Sequence, residues 1–278
     1  MNIMNIVIPG LIVGGMGLLF GLVLAFASKK FSIEKDERIK LVREALPGAN
    51  CGACGFAGCN AFAEAVVKGE ASVNGCPVGK APVAKKLAEI MGQETDEKDD
   101  KVAFVRCQGA LGGVKPKSTY SGVSTCQAAS DVAGGNLRCR FACLGLGDCE
   151  RACPFDAIHV SEGLAKVDRE KCVGCGICAT ACLRNVIDMI SAKAPVGVAC
   201  RNTDAGKEVR AICMRGCIAC KLCEKKCEYD AIHVKGGVSV VDYDKCVGCG
   251  VCVENCPTKA IVDFTKLPGF KAPVPAGV

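Results

Sequence analysis

Apolar residues dominate one end of the 278-residue chain. Residues 6–27 are almost all apolar, and no charged side chain occurs between Met1 and Ser28. A run of this length can cross a hydrocarbon core as one helix of about 20 residues. Lys29 and Lys30 follow at once, and the positive-inside rule places the chain after them in the cytoplasm. The pattern predicts a single-pass anchor over residues 1–30 in the inner (cytoplasmic) membrane.

A secretory signal peptide is the alternative for this segment, since residues 25–27 (Ala-Phe-Ala) have the form of a cleavage site. No basic residue precedes the apolar run, however, and the run is longer than the roughly 7–15 residues of a signal-peptide core. Within the run, Gly10 with Gly14 and Gly17 with Gly21 form small-xxx-small pairs. Such pairs let the helix of another subunit approach closely.

Beyond the anchor, the hydrophobic pattern changes to that of a water-soluble protein. Residues 31–46 form a charged, amphipathic stretch, and helical periodicity predicts helices over residues 61–67 and 81–91. Residues 92–101 (GQETDEKDDK) are acidic and lack apolar side chains, which predicts a solvated linker.

Cysteine content decides the chemistry. The chain has 24 cysteines but only two histidines and no tryptophan, and the run C-x-x-C-x-x-C occurs three times. Repeated C-x-x-C runs are typical of metal or iron–sulfur ligation in a reducing compartment, which excludes a secreted disulfide protein. The formal net charge of +6 counts cysteine as neutral, whereas metal-bound thiolates are deprotonated. We therefore expect no nucleic-acid partner.

The sequence offers no catalytic site of another kind. Carboxylates form no paired constellation for acid–base chemistry, and no phosphate-binding glycine motif follows a predicted strand. We therefore predict no flavin or nicotinamide site and no catalytic residue in this chain.

A first cysteine module occupies residues 31–91. Its spacing is C-x2-C-x4-C-x16-C-P, and three of its thiols lie in a glycine-rich loop that can wrap one face of a cubic cluster. A structural zinc site is the alternative, but zinc sites more often pair two C-x-x-C units. The predicted ligands of this cluster, cluster 1, are Cys51, Cys54, Cys59 and Cys76.

The second half of the chain repeats itself at one constant offset. Each copy carries two cysteine motifs around a predicted β-hairpin, residues 157–160 with 164–168 in one copy and 231–234 with 238–242 in the other. The histidines His159 and His233 occupy equivalent hairpin positions and are not predicted as ligands. The offset superimposes nine cysteines on nine others: Cys126, Cys139, Cys143, Cys149, Cys153, Cys172, Cys175, Cys178 and Cys182 on Cys200, Cys213, Cys217, Cys223, Cys227, Cys246, Cys249, Cys252 and Cys256.

The C-x2-C-x2-C-x3-C run is the pattern of bacterial two-cluster ferredoxins, in which the fourth cysteine ligates the other cluster. The ligands of the second copy must therefore cross over. The predicted sets are Cys217, Cys220, Cys223 and Cys256 for cluster 4, and Cys227, Cys246, Cys249 and Cys252 for cluster 5.

The first copy lacks one cysteine, because Leu146 stands where the second copy has Cys220. We predict that Cys139 supplies the missing thiol; a three-iron cluster is the alternative. The predicted sets are Cys139, Cys143, Cys149 and Cys182 for cluster 2, and Cys153, Cys172, Cys175 and Cys178 for cluster 3.

Four cysteines remain, and they are enough for a sixth cluster that bridges the two copies. Buried free thiols are the alternative interpretation. The expected cofactors are thus five [4Fe-4S] clusters, with iron as the metal, and a sixth that would use Cys107, Cys126, Cys200 and Cys213.

The order of anchor, cysteine module, linker and ferredoxin motifs resembles the B subunit of Rnf-type ion-translocating electron transport complexes over essentially the whole chain. The segments Cys143-Leu-Gly-Leu-Gly-Asp-Cys149 and Cys153-Pro-Phe-Asp-Ala-Ile resemble the extended form of that protein. The resemblance implies an electron-transfer subunit of a translocase, with integral and flavin-bearing subunits as partners. In such complexes electrons pass from soluble, reduced ferredoxin to NAD while Na⁺ or H⁺ crosses the membrane.

Spacing alone indicates a membrane-tethered polyferredoxin, so two other functions stay open: delivery of electrons to a different oxidoreductase, and a non-redox zinc-binding interaction protein. We predict an α+β fold with a helical module and two βαββαβ ferredoxin-like units. The predicted segments are the anchor (1–30), the four-cysteine module (31–91), the linker and Cys107 region (92–125), the first unit (126–192), the second unit (193–264) and a tail (265–278).

Overall fold

The computed structural model describes residues 4–30, 36–95, 99–109, 112–268 and 270. These residues form helices and strands in a mixed arrangement, in agreement with the predicted α+β class. The strands all fall in two-stranded antiparallel sheets after residue 100, and the longer helices lie before it.

The first helix, α1 (Met4–Lys30), covers the segment predicted as an anchor except for residues 1–3, which lie outside the described residues. From Leu11 to Ser28 its side chains are exposed, apart from the half-buried Ala27. It is the one helix in the described part of the chain whose length and composition would allow it to cross a membrane, a test that a signal sequence also passes.

The cysteine module folds as three helices, α2 (Glu37–Ala45), α3 (Cys59–Val67) and α4 (Lys80–Met91). Val42, Phe62 and Leu87, one from each helix, are fully buried and form its core. The helices predicted over residues 61–67 and 81–91 are therefore present and begin slightly earlier. Residues 31–35 of the predicted amphipathic stretch lie outside the described residues.

The remainder consists of two repeats with the same order of elements. The first repeat comprises β1 (Lys101–Val105), α5 (Cys126–Asp131), α6 (Asp148–Arg151), β2 (Ile158–Ser161), β3 (Leu164–Val167), α7 (Ile177–Ala181) and β4 (Ile187–Ser191). The second repeat comprises β5 (Val196–Val198), α8 (Gly206–Ile212), α9 (Leu222–Lys225), β6 (Ile232–Lys235), β7 (Val238–Val241), α10 (Val251–Glu254) and β8 (Ile261–Asp263). In each repeat the first strand pairs with the last, and the two middle strands form a hairpin. Apart from α5 and α8, both repeats follow the order βαββαβ.

Strand β1 shows that the predicted linker ends earlier than expected. All of β1 pairs with all of β4, from Lys101 with Ser191 to Val105 with Ile187. The acidic composition of residues 92–101 obscured this strand, whose buried positions Val102, Ala103 and Val105 follow the acidic stretch. The segment 92–125 therefore contributes a strand to the first repeat.

The first repeat also contains an insertion. The connection from β1 to β2 runs from Arg106 to Ala157, whereas the equivalent connection from β5 to β6 is much shorter and runs from Ala199 to Ala231. The extra chain is attached to the second repeat: the Lys115 amide donates to the Ile212 carbonyl (2.9 Å). Close by, the amide of residue 214 donates to the carbonyl of residue 113 (3.1 Å).

Both repeats have small cores in which cysteine replaces much of the hydrocarbon. Ile158 and Ile187 pack in the first core, and Val196 and Ile232 pack in the second. The buried cysteines in these cores are Cys143, Cys149 and Cys178 in the first repeat and Cys200, Cys217 and Cys223 in the second. A core with this little apolar surface stabilises a domain only weakly. Binding of a metal or cluster by the cysteines must therefore contribute to the stability of the fold.

We expect Gly174→Ala to loosen β1 more than Gly176→Ala does. Both glycines have positive φ, +75° and +80°, so an alanine at either position costs about 1–2 kcal/mol. A Cβ atom at Gly174 would in addition lie 2.2 Å from the Lys101 carbonyl oxygen, whereas no atom lies within 4 Å of one at Gly176. Amide hydrogen exchange in β1 of the full chain should rise clearly only in Gly174→Ala, and equal exchange in both variants would contradict this packing.

Candidate cysteine-lined metal sites

Most of the cysteines line cavities in groups of four. Four such cavities are lined by complete sets, which we name site 1 (Cys51, Cys54, Cys59 and Cys76), site 2 (Cys126, Cys143, Cys149 and Cys182), site 5 (Cys227, Cys246, Cys249 and Cys252) and site 6 (Cys107, Cys139, Cys200 and Cys213). Among the described residues, no three His, Cys, Asp or Glu side chains approach closely enough to hold a single metal ion.

Two further sets are recognised by contacts between their members. In site 3 (Cys153, Cys172, Cys175 and Cys178), burial raises the pKa of Cys178 to about 11, and the three other thiolates add to this effect. In site 4 (Cys217, Cys220, Cys223 and Cys256), Cys223 interacts electrostatically with Cys217 and Cys220, and Cys256 packs against the same core. The structure thus brings together the ligands predicted for clusters 1, 3 and 5 and three of those predicted for cluster 4, with the fourth, Cys256, in the same core.

Site 1 is formed by the loop before α3. Gly52 and Gly55 have positive φ, +72° and +86°, which lets the loop turn sharply between its cysteines. The Asn50 side chain accepts a hydrogen bond from the Cys59 amide (2.9 Å) and fixes the start of α3 beside the loop. Cys76 arrives from the turn before α4, and burial raises the pKa of its thiol.

Site 2 differs from the prediction for cluster 2, because Cys126 and not Cys139 completes it. Cys126 begins α5, inside the insertion of the first repeat. The Asp148 carboxylate accepts hydrogen bonds from the amides of Cys126 (3.0 Å) and Gln127 (3.2 Å), and Arg151 pairs with the same carboxylate. Because Asp148 directly precedes Cys149, this contact holds Cys126 next to the other ligands. Leu146, at the position of the missing cysteine, lines the same cavity.

Site 6 differs from the predicted sixth set by the same exchange, since it contains Cys139 where the prediction had Cys126. Its members come from both repeats, two from each. The buried Asn202 side chain donates to the Cys139 sulfur (3.4 Å), and the Gly109 amide donates to the Cys107 sulfur (3.3 Å).

The insertion explains why the sequence comparison missed this exchange. Cys107 follows closely after the end of β1, and Cys200 follows equally closely after the end of β5. These two cysteines are therefore structural equivalents, although the constant offset aligns Cys200 with Cys126. That offset holds only after the insertion, where Cys139 still corresponds to Cys213. Cys126 has no counterpart in the second repeat.

Backbone amides point at the sulfurs in both repeats. Cys153 and Cys227, at equivalent positions, accept from the amides of Ala157 (3.5 Å) and Ala231 (3.3 Å). Cys172 accepts in the same way from the amide of residue 103 in β1 (3.4 Å). Donors of this kind favour the negatively charged sulfur.

Burial has the opposite effect and disfavours the charged thiolate. It raises the pKa of Cys107, Cys149 and Cys252 to about 12 each, and neighbouring thiolates add to this effect. Four such groups cannot ionise together in one cavity unless a cation balances them, and coordinated metal deprotonates thiols outright. All-sulfur donor sets around a shared cavity therefore fit an iron–sulfur cluster.

The six sites are neighbours in one series. Each link joins a residue of one site to a residue of the next. Cys51 interacts electrostatically with Cys175 (sites 1 and 3), Cys178 with Cys149 (sites 3 and 2), and Cys223 with Cys252 (sites 4 and 5). The backbone amide of Cys143 favours the thiolate form of Cys107 (sites 2 and 6), and that of Cys217 favours the thiolate form of Cys200 (sites 6 and 4). Site 6 lies in the middle, and its two amide contacts come from equivalent cysteines of the two repeats.

The two histidines lie away from these cavities. His159 is exposed and pairs with Glu150 (3.2 Å), and His233 pairs more loosely with Glu224 (3.8 Å). The two glutamates also accept from the amides of residues 160 and 234, both at 3.1 Å, so each pair fastens a hairpin to the helix before it.

Family models match the chain in three places. Residues 46–78 match an Fe–S cluster domain, and residues 164–187 and 239–262 each match a 4Fe-4S binding domain. The first match covers site 1, and the other two cover the C-x2-C-x2-C-x3-C run of each repeat. The chain is therefore an iron–sulfur protein with 4Fe-4S binding domains.

Curated relatives extend the similarity over most of the chain. The B subunit of the Na(+)-translocating ferredoxin:NAD(+) oxidoreductase complex of Acetobacterium woodii is 46% identical over 92% of this chain and 77% of its own length. The B subunit of the ion-translocating oxidoreductase complex of Methanosarcina acetivorans is 43% identical, over 90% and 95% of the two chains. The B subunit of the proton-translocating ferredoxin:NAD(+) oxidoreductase complex of Clostridium ljungdahlii is 42% identical, over 95% and 96%.

The chain belongs to the family of B subunits of ion-translocating oxidoreductase complexes. It is an electron-transfer subunit of an enzyme complex associated with a membrane. The predicted family, electron-transfer role and enzyme class are confirmed by these relatives.

Proposed function

We propose that this chain relays electrons from soluble, reduced ferredoxin toward NAD, within a complex that moves Na⁺ or H⁺ across the membrane. The names of two relatives support the donor and the acceptor. One of these relatives is named for Na⁺ and the other for protons, at nearly equal identity, so the similarity does not choose the ion. The observation that carries the proposal is the continuous series of six four-cysteine sites.

The proposed cofactors are six [4Fe-4S] clusters, one in each of sites 1 to 6. When bound, such clusters accept and release single electrons at potentials set by hydrogen bonding, net charge and exposure. The residues of this chain hold them by thiolate ligation, shield them in small cores and aim backbone amides at their sulfurs. The two repeats are thus proposed to be tandem ferredoxin-like units, with Cys126 as the replacement ligand in the first.

We expect Cys126→Ala and Cys139→Ala to damage different sites. Cys126→Ala removes a ligand from site 2, so the ferredoxin-type signal of the first repeat should change to that of a three-iron cluster or disappear. Cys139→Ala removes a ligand from site 6 and should leave that signal in place. Iron content and electron paramagnetic resonance (EPR) of the anaerobically purified full chain would show the difference.

Cys213→Ala is the matched control, because Cys213 is the counterpart of Cys139 in the other repeat. It should reproduce the effect of Cys139→Ala. An altered site 2 signal in Cys139→Ala, with a normal signal in Cys126→Ala, would restore the assignment predicted from the sequence and refute the one proposed here.

Site 6 is proposed to be the connection between the repeats. We expect Cys200→Ala, in the assembled complex, to leave the clusters of sites 4 and 5 reducible by ferredoxin while electrons no longer reach site 1. The physical reason is that Cys200 lies beside the backbone amide of Cys217 in site 4 and is itself a proposed ligand of site 6, the site between the repeats. EPR after rapid freezing shows which clusters are reduced, and NAD reduction measured in parallel shows whether electrons leave the chain.

The double variant Cys51→Ala/Cys54→Ala is the control for this experiment. It should leave sites 2 to 6 reducible and block transfer beyond the chain. Ferredoxin-dependent turnover at the parental rate in either variant would refute the series as the route.

Electron uptake is proposed at the second repeat, at site 4. Cys220 is exposed, and it is followed by the exposed residues Lys221 and Leu222. Lys225, the last residue of α9, and Lys226, which follows it, are also exposed. In the described part of the chain no carboxylate forms an ion pair with Lys221, Lys225 or Lys226. In the first repeat, a glycine and an alanine, residues 147 and 152, replace Lys221 and Lys226. A basic rim around an exposed ligand attracts an acidic electron carrier.

We expect the triple variant Lys221→Glu/Lys225→Glu/Lys226→Glu to slow reduction by ferredoxin by roughly tenfold or more at low salt, because like charges oppose encounter. The loss should shrink as ionic strength rises. Stopped-flow reduction of the full complex measures both effects. The control Lys166→Glu, on the hairpin of the first repeat, should change the rate little; an equal loss there would contradict docking at site 4.

The anchor is proposed to span the inner membrane once, with the iron–sulfur part in the cytoplasm. Helix α1 and the basic pair Lys29 and Lys30 support this orientation. The two small-xxx-small pairs of α1 are proposed to face integral subunits of the complex, and site 1, the set nearest to the anchor in sequence, to pass electrons to flavin-bearing partners.

A further inference from the structure

Two buried polar side chains occur among the described residues, and both contact cysteine sulfur. Asn202 and Ser239 are each 2% exposed. Asn202 donates to Cys139, and the Ser239 hydroxyl lies 3.3 Å from the Cys223 sulfur and 3.6 Å from the Cys217 sulfur. A buried hydroxyl without a partner destabilises the fold, so a partner of some kind is required here. The structure supplies two sulfurs of one site.

The direction of the Ser239 hydrogen bond follows from the chemistry of the ligands. A thiolate that binds iron carries no proton, so it can only accept. The hydroxyl therefore donates to the sulfur, with Cys223 as the shorter partner. No charged group is involved on the serine side, so the contact acts on the cluster without changing the charge of the protein.

The first repeat provides a natural comparison. Ser239 is the second residue of β7, and Ala165 is the second residue of β3. The two strands have the same burial pattern, and Ala165 is also 2% exposed. Ala165 lines site 2 beside Cys143 and Cys149, the counterparts of the two cysteines that Ser239 contacts. The two sites thus differ at this position by a single oxygen atom.

We propose that the Ser239 hydroxyl raises the reduction potential of the cluster held by site 4, relative to a site with alanine at this position. The inference rests on the proposed ligand set of site 4. Reduction adds one electron and no proton, so the reduced cluster carries one more negative charge. A hydrogen-bond donor stabilises that form more than the oxidised one, and hydrogen bonds to the sulfurs are among the factors that set such potentials. Ser239 acts through its hydrogen bond to a ligand sulfur and does not itself bind the iron.

The role fits the place of site 4 in the series. Site 4 lies between site 5 and site 6 and carries the exposed ligand Cys220. A raised potential at this point favours capture of an electron from a soluble donor. It also favours retention of that electron until the next site is free. In the first repeat, which lies further along the route, the serine is replaced by alanine.

The test is a redox titration of the full chain with Ser239→Ala, followed by EPR. We expect one cluster to become harder to reduce, with the equilibrium constant for its reduction by a common donor lowered about tenfold, the effect of losing one hydrogen bond to a charged group. The other clusters should titrate as in the parent. Pulsed EPR should also lose the coupling of one exchangeable proton, a change that a purely structural role would not produce.

The reciprocal variant Ala165→Ser is the second arm. It should make one cluster of the first repeat easier to reduce by a similar factor. If Ser239→Ala holds less iron than the parent, the titration of Ala165→Ser becomes the test of whether a hydroxyl at this position raises the potential. Full iron content with unchanged titrations in both variants would overturn the inference and leave the proposed function intact. A parent chain without a four-iron signal from site 4 would instead refute the proposed ligand set itself.

Discussion

The structure depends on one electrostatic constraint: buried thiolates need a positive charge at their centre. Burial, reinforced by neighbouring thiolates, raises the pKa of Cys107, Cys149 and Cys252 to about 12, which strongly disfavours the thiolate form in the absence of metal. The proposed clusters would reverse this effect, because bound iron deprotonates the thiols that ligate it. The hydrophobic cores of the repeats are small, and their buried cysteines occupy positions that an ordinary domain would fill with Leu or Ile. The residues proposed to hold the cofactors are therefore also core residues of the two repeats.

Much of this arrangement could be predicted from the sequence, because cysteine spacing reflects the shape of a cluster. The C-x2-C-x4-C loop and the first three cysteines of each C-x2-C-x2-C-x3-C run come together through local backbone geometry, and the two-cluster ferredoxin pattern identifies the distant fourth cysteine. The structure gathers the predicted sets in sites 1, 3 and 5 and places the cysteines predicted for site 4 in one core. The helices of the first module and both hairpins follow from periodicity and glycine turns in the same way. Cysteine spacing was sufficient wherever the motif was complete.

The exchange of Cys126 and Cys139 could not be predicted in this way. Leu146 stands where the second repeat has a cysteine ligand. The cysteine that takes the place of this ligand lies in an insertion that has no counterpart in the other repeat. The contact that holds Cys126 in place is a hydrogen bond from its amide to the distant Asp148, and no spacing rule encodes it. Strand β1 was missed for a related reason. It follows an acidic segment, and its partner β4 lies at the opposite end of the first repeat.

The composition of site 6 has a consequence for how the protein is made. Site 1 has all its cysteines once residue 76 has left the ribosome, and sites 2 and 3 are complete by residue 182. Site 6 draws on Cys107 and Cys139 but waits for Cys213, so two thiols of the first repeat stay without their partners while the start of the second repeat is synthesised. Domains fold as they emerge, N-terminal parts first. If all six sites bind clusters, as proposed, the ligands of site 6 are the last to become complete among sites 1, 2, 3 and 6, and the connection between the two repeats forms only after synthesis of the second repeat has begun.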